Sequence, residues 1–233
     1  MLALLLMAQP GAHSADPSLP TTPMQLYYIA DPMCGWCYGF TPVMLQLQRE
    51  HAQEYNITFI SGGMITGNQV GPMPEAKRKY ISSAYKRVED MCGIKFGAAY
   101  VNGTLQNPDV IQTSVTPSIA LEVIREVAPQ QTLEIFHDIQ LALFSEGLEP
   151  AHFDSYKKIA ERYGIKGDDF ISATSQPVYA DRANEQFELT ASWGISGFPA
   201  LVASRGDSLV LVTSGYTSYA TLLDRLQMVR DGQ

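Results

Sequence analysis

The sequence predicts an α/β fold whose core is interrupted by one all-helical insertion. Two apolar runs near the start of the chain flank a segment of helical periodicity, which is the pattern of a strand–helix–strand unit. The middle of the chain is mostly helical in its periodicity, and the last part returns to a helix, two short strands and a helix. We therefore divide the chain into a leader and linker over 1–23, a core over 24–73 and 176–233, and a helical insertion over 74–175.

The composition is that of an ordinary globular protein. The chain has 233 residues, of which 45% are hydrophobic and 17% are charged. Its formal net charge of -8 argues against nucleic acid or an anionic membrane as the main partner, because both attract cations. No window approaches the ~20 consecutive apolar residues that a membrane-spanning helix needs, so we expect no stable insertion into a membrane.

The first residues have the pattern of a leader peptide. Residues 2–8 are apolar, and the small residues Ala12 and Ser14 suit signal-peptidase cleavage after Ser14. Two features oppose this interpretation: no lysine or arginine precedes the apolar stretch, and the stretch is short for a signal sequence. We expect a periplasmic or otherwise exported protein, with a cytoplasmic protein as the alternative.

The first half of the core is predicted to contain two strands and one helix. Residues 24–30 are aromatic and apolar, and the pair Asp31-Pro32 ends the predicted strand. A helix follows, with its apolar residues at helical spacing and with Pro42 as an expected kink. Residues 56–61 are the second predicted strand, which ends at two glycines.

The later elements are predicted from apolar spacing and from residues that start or stop helices. The predicted helices include one with Ile81 and Cys92 on its apolar face, two that begin at Thr116 and Thr132, two short ones over 151–164 and 167–174, one from Pro177 to Gly194, and one over 218–229. Strands are predicted over 200–203 and 208–212. The residues between these strands, 204–207, have the turn chemistry of a hairpin.

The most informative segment is Cys34-Gly35-Trp36-Cys37, at the predicted turn from the first strand to the first helix. Two cysteines at this spacing on a first helical turn can form a disulfide. The unpaired N–H groups of a helix N-terminus stabilise a thiolate. Because the first cysteine lies further out and receives this stabilisation, we predict that Cys34 attacks and Cys37 resolves a mixed disulfide.

Two simpler interpretations of the cysteine pair are half of a zinc site and two unrelated core cysteines. A structural zinc site needs four ligands and usually draws on a second pair at similar spacing. The remaining ligand types are Cys92 and four scattered histidines, His13, His51, His137 and His152. We therefore predict no metal site.

A second feature is Gly197-Phe198-Pro199, directly before the predicted strand over 200–203. A proline that opens a strand next to a glycine-containing turn is compatible with a cis peptide bond, and cis prolines are concentrated in tight functional turns. The residues alone leave cis and trans open.

Together these features resemble the thioredoxin fold: a strand, a C-x-x-C helix with Pro42 five residues past Cys37, and a late Gly-x-Pro before a hairpin. The helical block resembles the insertion of the DsbA-type branch, and residues 31–38 resemble the FrnE-like DsbA proteins. The resemblance extends over about residues 24–230. It implies a thioredoxin-like core with an inserted all-helical domain.

The resemblance also implies chemistry. It implies that Pro199 is cis and faces Cys34, and that Phe198 offers backbone hydrogen bonds to an extended substrate peptide. The substrates would be proteins with thiols or disulfides, a redox partner would recycle the disulfide, and no cofactor beyond the redox-active disulfide would be needed. One departure matters: DsbA oxidases typically have Pro-His between the cysteines, whereas this chain has Gly35-Trp36. With no imidazole to support the thiolate, the resemblance does not imply a strong oxidant.

Three further residues have a functional and a structural interpretation. Asp31 could accept the Cys37 proton if it is partly buried, or it could be a solvated turn residue before a proline. Trp36 is expected to be exposed and to contribute apolar surface for a substrate. Cys92 is expected to be a buried free thiol, with a second redox partner for Cys34 as the alternative.

We therefore predict a protein disulfide oxidoreductase, either an oxidase or an isomerase, that works through Cys34 and Cys37. Two alternatives come from other classes. A glutathione-dependent transferase or isomerase of the DsbA-like fold typically keeps a serine or a single cysteine at the active helix, which disagrees with the pair. A non-catalytic metal- or peptide-binding module would be recognised by the metal content of the purified protein.

Overall fold

The computed structural model describes residues 22–232. The cleavage site and apolar stretch of the predicted leader lie within 1–21, outside the described residues. Among residues 22–232, no helix is long and apolar enough to cross a membrane.

The core is a four-stranded mixed sheet. Its strands are β1 (Met24–Ala30), β2 (Tyr55–Ser61), β5 (Ala200–Arg205) and β6 (Ser208–Ser214), in the spatial order β2-β1-β5-β6. β1 is parallel to β2 and antiparallel to β5, and β5 and β6 form the predicted hairpin. A separate ladder of two residues per strand joins β3 (Gly71–Pro72) to β4 (Ile111–Gln112). The sequence pattern did not predict this ladder.

Eight α-helices accompany the strands in the described part of the chain. They are α1 (Gly35–Glu50), α2 (Glu75–Cys92), α3 (Val115–Val127), α4 (Thr132–Phe144), α5 (Lys157–Arg162), α6 (Gly167–Thr174), α7 (Pro177–Ser192) and α8 (Tyr219–Arg230). A short π-helical turn over Tyr100–Thr104 and several 3₁₀ turns lie between them. α1 continues through Pro42. The segment predicted as a helix over 151–164 contains a 3₁₀ turn at Phe153–Tyr156 followed by α5.

The order of elements brings the dithiol segment to the edge of the sheet. β1 is a central strand, and Leu26, Tyr28, Ile29 and Ala30 are completely buried. α1 starts five residues after β1 ends, so the turn between them is short. The first turn of α1 therefore lies at the carboxyl end of a central strand, where ligands commonly bind in α/β sheets.

The helical insertion shares its hydrophobic core with the sheet. Phe136 of α4 lies 4.4 Å from Phe59 of β2 and 6.3 Å from Tyr28 of β1, measured between ring centroids. One cluster of buried apolar side chains includes residues of β1, α1, α3, α4 and α7. The core and the insertion are therefore two parts of one packed unit.

Candidate active site

Cys34 and Cys37 occupy two different positions at the start of α1. Cys34 is the N-cap residue, with extended backbone angles, and its Sγ accepts the N–H of Cys37 at 3.4 Å. Cys37 lies within the first turn. The exposed fraction is 7% for Cys34 and 0% for Cys37, so Cys34 is the member of the pair closer to solvent. Cys34 Sγ therefore lies at the N-terminus of α1, where the first N–H groups of a helix have no partner within the helix.

The Cys37 thiol is held in its protonated form. Burial raises the pKa of Cys37 well above its usual value, and the neighbouring Cys34 raises that pKa further. One opposing contact is the backbone N–H of Asp31, which lies 3.5 Å from Cys37 Sγ. Cys37 therefore needs a proton acceptor before it can attack as a thiolate.

Asp31, at the end of β1, is a completely buried carboxylate. The interpretation of Asp31 as a solvated turn residue is therefore wrong: β1 ends inside the protein and not at its surface. Asp31 Oδ1 accepts the N–H of Met33 at 2.9 Å and the hydroxyl of Ser114 at 2.7 Å, and Oδ2 accepts the N–H of Met64 at 2.7 Å. Burial raises the pKa of Asp31, and these hydrogen bonds oppose the rise.

The loop before β5 lies against Cys34. The Phe198–Pro199 peptide bond is cis, and the Phe198 carbonyl oxygen lies 3.5 Å from Cys34 Sγ. The Pro199 carbonyl accepts the N–H of Gly215 at 2.7 Å, which ties the loop to the end of β6. The Phe198 ring packs on Gly62, where an added Cβ would lie 2.6 Å from the ring. The fold thus brings together residues that are 164 positions apart in the sequence.

Trp36 is less exposed than we expected. It is half-buried, and its ring centroid lies 6.5 Å from that of Tyr216, in the loop between β6 and α8. The expectation of an exposed side chain is therefore met only in part, because Tyr216 packs next to the indole. The remaining indole surface borders a groove next to Cys34.

The groove between the dithiol and α2 has a volume of about 500 Å³. Its lining is mostly aromatic and aliphatic, with one arginine and one serine among the polar side chains. The lining residues are Met33, Cys34, Gly35, Trp36, Met64, Tyr80, Ile81, Ser83, Ala84, Tyr85, Arg87, Val88, Phe96, Tyr100 and Phe144. This surface can accept an apolar group that is attached to a sulfur atom reacting with Cys34.

Cys92, at the end of α2, is half-buried, so the expected fully buried thiol is found only in part. Burial raises the pKa of Cys92 to about 11. Its side chain packs against Gly39 of α1, where an added Cβ would lie 2.5 Å from Cys92 Sγ. At neutral pH this thiol is protonated and is a poor nucleophile.

The sequence analysis missed two groups that contact Asp31, the Ser114 hydroxyl and the Met64 amide. Ser114 precedes a predicted helix, where a serine is usually interpreted as a cap, and its contact with Asp31 crosses 83 positions of sequence. No local pattern signals that contact. Across residues 22–232, no three His, Cys, Asp or Glu side chains are grouped so that they could hold a metal ion.

The fold and the site define a class: a thioredoxin-fold protein with a dithiol at the N-terminus of its first helix. The chain belongs to the DSBA-like thioredoxin domain family, whose model matches residues 26–227. A dithiol at this position in this family carries out thiol–disulfide exchange.

Comparison with solved structures gives the same fold. A proposed protein disulfide isomerase of Nitrosomonas europaea is 28% identical, with a TM-score of 0.78 over 91% of this chain and 100% of that one. The cytosolic disulfide reductase DsbM of Pseudomonas aeruginosa is 21% identical, with a TM-score of 0.70 over 89% of this chain and 98% of that one. At 21% identity, the similarity to DsbM shows a shared fold and no more.

A curated relative matches in sequence. The ClpXP adapter protein SpxH of Halalkalibacterium halodurans is 24% identical over 151 residues, which are 64% of this chain and 48% of the relative. The chain thus spans about half the length of this relative.

Proposed function

We propose that this chain reduces and isomerises disulfides of protein substrates through Cys34 and Cys37. The observation that supports the proposal is the asymmetry of the pair: Cys34 caps α1 next to a groove, whereas Cys37 is completely buried, with its Sγ 3.5 Å from the backbone N of Asp31. One thiol is placed to meet a substrate sulfur, and the other is placed to act afterwards.

The reaction begins with the reduced pair. The Cys34 thiolate attacks one sulfur of a substrate disulfide, which forms a mixed disulfide and releases the other substrate sulfur as a thiolate. Cys37 then transfers its proton to the Asp31 carboxylate, and the resulting thiolate attacks Cys34 Sγ. The Cys34–Cys37 disulfide forms, the bond from Cys34 to the substrate breaks, and the substrate leaves as a second thiolate. Two electrons pass from the protein to the substrate, and a thiol partner later returns them.

The surroundings of Cys34 support the proposed direction of electron flow. In strong oxidants the reduced form is the stabilised one. Among the described residues, the polar contacts of Cys34 Sγ are the N–H of Cys37 and the carbonyl oxygen of Phe198. A carbonyl oxygen accepts from a thiol and repels a thiolate, and residues 35 and 36 offer no imidazole. This environment favours a reduction potential closer to thioredoxin (about -270 mV) than to DsbA (about -120 mV).

The groove defines the proposed substrate class. Its lining is apolar, and it adjoins Cys34 on the side facing α2, while the Phe198–Pro199 loop borders the same sulfur through the Phe198 carbonyl. An extended peptide that lies along the loop would place a neighbouring side chain over the groove. We therefore propose that the substrates are protein disulfides whose cysteines have a large apolar residue nearby in the sequence.

The cellular compartment is proposed from the sequence. The apolar stretch over 2–8 supports export, and a cytoplasmic location is the alternative. Fractionation of cells that express the full chain, and of cells that express a chain lacking residues 1–14, tests this proposal. An exported full chain with a cytoplasmic shortened chain supports export, and identical cytoplasmic fractions contradict it.

Trapping tests the proposed reaction directly. Reduced protein with Cys37→Ser is incubated with insulin and separated on a non-reducing gel. Because Cys37 can no longer resolve the intermediate, we expect a stable mixed disulfide on Cys34. The Cys92→Ser control should turn over insulin like the unaltered protein, and Cys34→Ser should form no adduct. An adduct with glutathione but none with any protein would favour the glutathione-dependent alternative instead.

A further inference from the structure

Ser114 lies at the N-cap position of α3, but its side chain does not cap the helix. A serine at this position usually accepts an N–H from the first turn of its helix. Here the hydroxyl donates to Asp31 Oδ1 at 2.7 Å and accepts the N–H of Ile65 at 3.0 Å. The backbone N–H of Ser114 donates to the Ile65 carbonyl at 2.9 Å, so the residue is fixed on both sides. The Ser114 side chain therefore forms a hydrogen bond with the Asp31 carboxylate and does not cap α3.

The Ser114 hydroxyl differs from the other donors to Asp31 because it belongs to a side chain. The other donors to this carboxylate are backbone N–H groups, those of Met33 at 2.9 Å and Met64 at 2.7 Å, with a further contribution from the backbone of Gly63. Among the described residues, Ser114 supplies the side-chain donor, and it comes from the helical insertion. The insertion thus reaches the proton acceptor of the thioredoxin-like core through one hydroxyl group.

The groups that titrate around Asp31 are few. The Cys37 thiol of α1 interacts electrostatically with the carboxylate and with the Cys34 thiol, and the buried Tyr28 hydroxyl of β1 interacts with both thiols. None of the ion pairs formed within residues 22–232 includes Asp31. With no cation beside it, the charged form of this buried carboxylate depends on its hydrogen-bond donors.

We propose that Ser114 is a positioning residue for the Cys37 step: its hydroxyl orients the Asp31 carboxylate and stabilises its charged form, so that Asp31 can accept the Cys37 proton. The inference rests on the proposed function. Without this hydrogen bond Asp31 remains protonated up to a higher pH. The transfer of the proton from Cys37 Sγ to an Asp31 oxygen then fails below that pH, and the mixed disulfide on Cys34 persists.

The chain offers a matched control one turn further along α3. Ser118 is buried like Ser114, but its hydroxyl has no hydrogen-bond partner in the structure. Ser114→Ala and Ser118→Ala therefore remove the same atom from the same helix, and only the first removes a contact with Asp31. Ser114→Thr keeps a hydroxyl and serves as the rescue variant.

The test separates the two chemical steps. Reduced protein is mixed with oxidised glutathione, samples are quenched in acid at intervals, and mass spectrometry counts the glutathione adduct and the intramolecular disulfide. Adduct formation depends on the glutathione concentration and reports Cys34. Its decay into the Cys34–Cys37 disulfide does not depend on that concentration and reports Cys37 with Asp31. Both rates are measured over a range of pH.

We expect Ser114→Ala to move the pH midpoint of the decay step upwards by about one to two units, which is the range for losing a hydrogen bond to a charged group. Adduct formation should be unchanged, Ser114→Thr should restore the midpoint, and Ser118→Ala should match the unaltered protein. NMR titration of the Asp31 carboxyl carbon should show the same shift, which makes the result independent of activity.

Other outcomes overturn the inference. If Ser114→Ala has the midpoint of Ser118→Ala, or if it slows both steps equally, Ser114 has no role in positioning Asp31. If Ser114→Ala does not fold, an unchanged midpoint in Ser114→Cys, whose thiol is a weak donor, would count against the proposal. If the unaltered protein forms the adduct but never the Cys34–Cys37 disulfide, the proposed function itself is wrong, and the role of Ser114 is wrong with it.

Discussion

At the scale of single residues, the site works because similar groups have different surroundings. Cys34 and Cys37 are three positions apart, but one caps a helix beside a groove and the other is completely buried. Burial raises the pKa of Cys37 and that of Asp31 beside it. The two groups between which we propose a proton transfer are therefore shielded from water, whereas Cys34 retains a small exposed surface.

The raised pKa of Asp31 has a consequence for stability. A carboxyl group whose pKa is higher in the folded than in the unfolded state binds a proton more tightly when folded. Its contribution to the free energy of unfolding is therefore most favourable below the unfolded pKa of about 3.9, and it is lost as the pH rises through the folded pKa. Ionised Asp31 thus destabilises the protein at neutral pH.

Asp31→Asn removes this titration. As the pH falls, we expect the free energy of unfolding of the unaltered protein to rise relative to that of the variant. The size is about 1.4 kcal/mol for each unit by which the pKa is raised. Denaturant unfolding of both proteins at a series of pH values measures it, and the other carboxyl groups cancel in the difference. Parallel curves, or a shift of the opposite sign, would contradict the raised pKa.

Sequence and structure agree unevenly at this scale. Cys34, Cys37 and Pro199 are marked by local motifs, and Asp31 is marked by its position three residues before Cys34. The burial of Asp31 and its contact with Ser114 depend on how the insertion folds back on the core, which no local pattern records. The partial burial of Trp36 could not be predicted either, because the side chain that packs against it, Tyr216, lies far away in the sequence.

At the scale of elements, α1 is held close to α2 by a glycine. A Cβ added to Gly39 would lie 2.5 Å from Cys92 Sγ and 2.7 Å from Cys92 Cβ. Alanine is ordinarily favoured over glycine inside a helix by about 0.5 to 1 kcal/mol. The overlap opposes this gain, because α2 must move or Cys92 must change its rotamer.

We expect Gly39→Ala to destabilise the protein by about 1 to 3 kcal/mol, the usual size of overpacking in a core. Adding Cys92→Ala should recover part of the loss, because it removes the sulfur but leaves the Cβ contact. Gly103→Ala is the control, since an added methyl group there meets no atom within 4 Å. Denaturant unfolding of the single and double variants gives the interaction free energy between Gly39 and Cys92. Equal effects at Gly39 and Gly103 would refute the close approach of the helices.

Most elements were predictable because they are long or have clear end signals. The strand β1 and the hairpin of β5 and β6 were predicted within two residues at each end, and the start of α4 was predicted at Thr132, where the helix begins. The ladder of β3 and β4 was missed, because two residues per strand leave no periodicity to detect. The cap of α3 was expected at Thr116, whereas the helix begins at Val115, one residue after Ser114.

At the scale of the whole molecule, polar contacts join the insertion to the sheet in addition to the shared core. Gln186 of α7 accepts the N–H of Ser61 at the end of β2 at 2.9 Å. Its amide group also donates to Glu122 of α3 at 2.6 Å. Glu122 is completely buried and pairs with Arg125 at 2.7 Å. Separating the two parts would expose apolar surface and leave these groups unpaired.

We therefore expect the core and the insertion to unfold together. Far-ultraviolet circular dichroism, dominated by the helices, and intrinsic fluorescence should give coincident denaturant transitions. Trp36 and Trp193 both belong to the core segments, so tryptophan fluorescence reports the core, whereas helical ellipticity reports the insertion together with α1, α7 and α8. Two separate midpoints would show that the insertion is an independent domain.

The most direct test of the account is the redox equilibrium of the Cys34–Cys37 pair. Purified protein is equilibrated in glutathione buffers of graded potential, quenched, and assayed for free thiols by mass spectrometry. We predict one reversible two-electron transition, with a potential nearer to about -270 mV than to about -120 mV. A potential near the upper value would contradict the proposed direction. No reversible transition in the unaltered protein would contradict the central claim that the pair is redox-active.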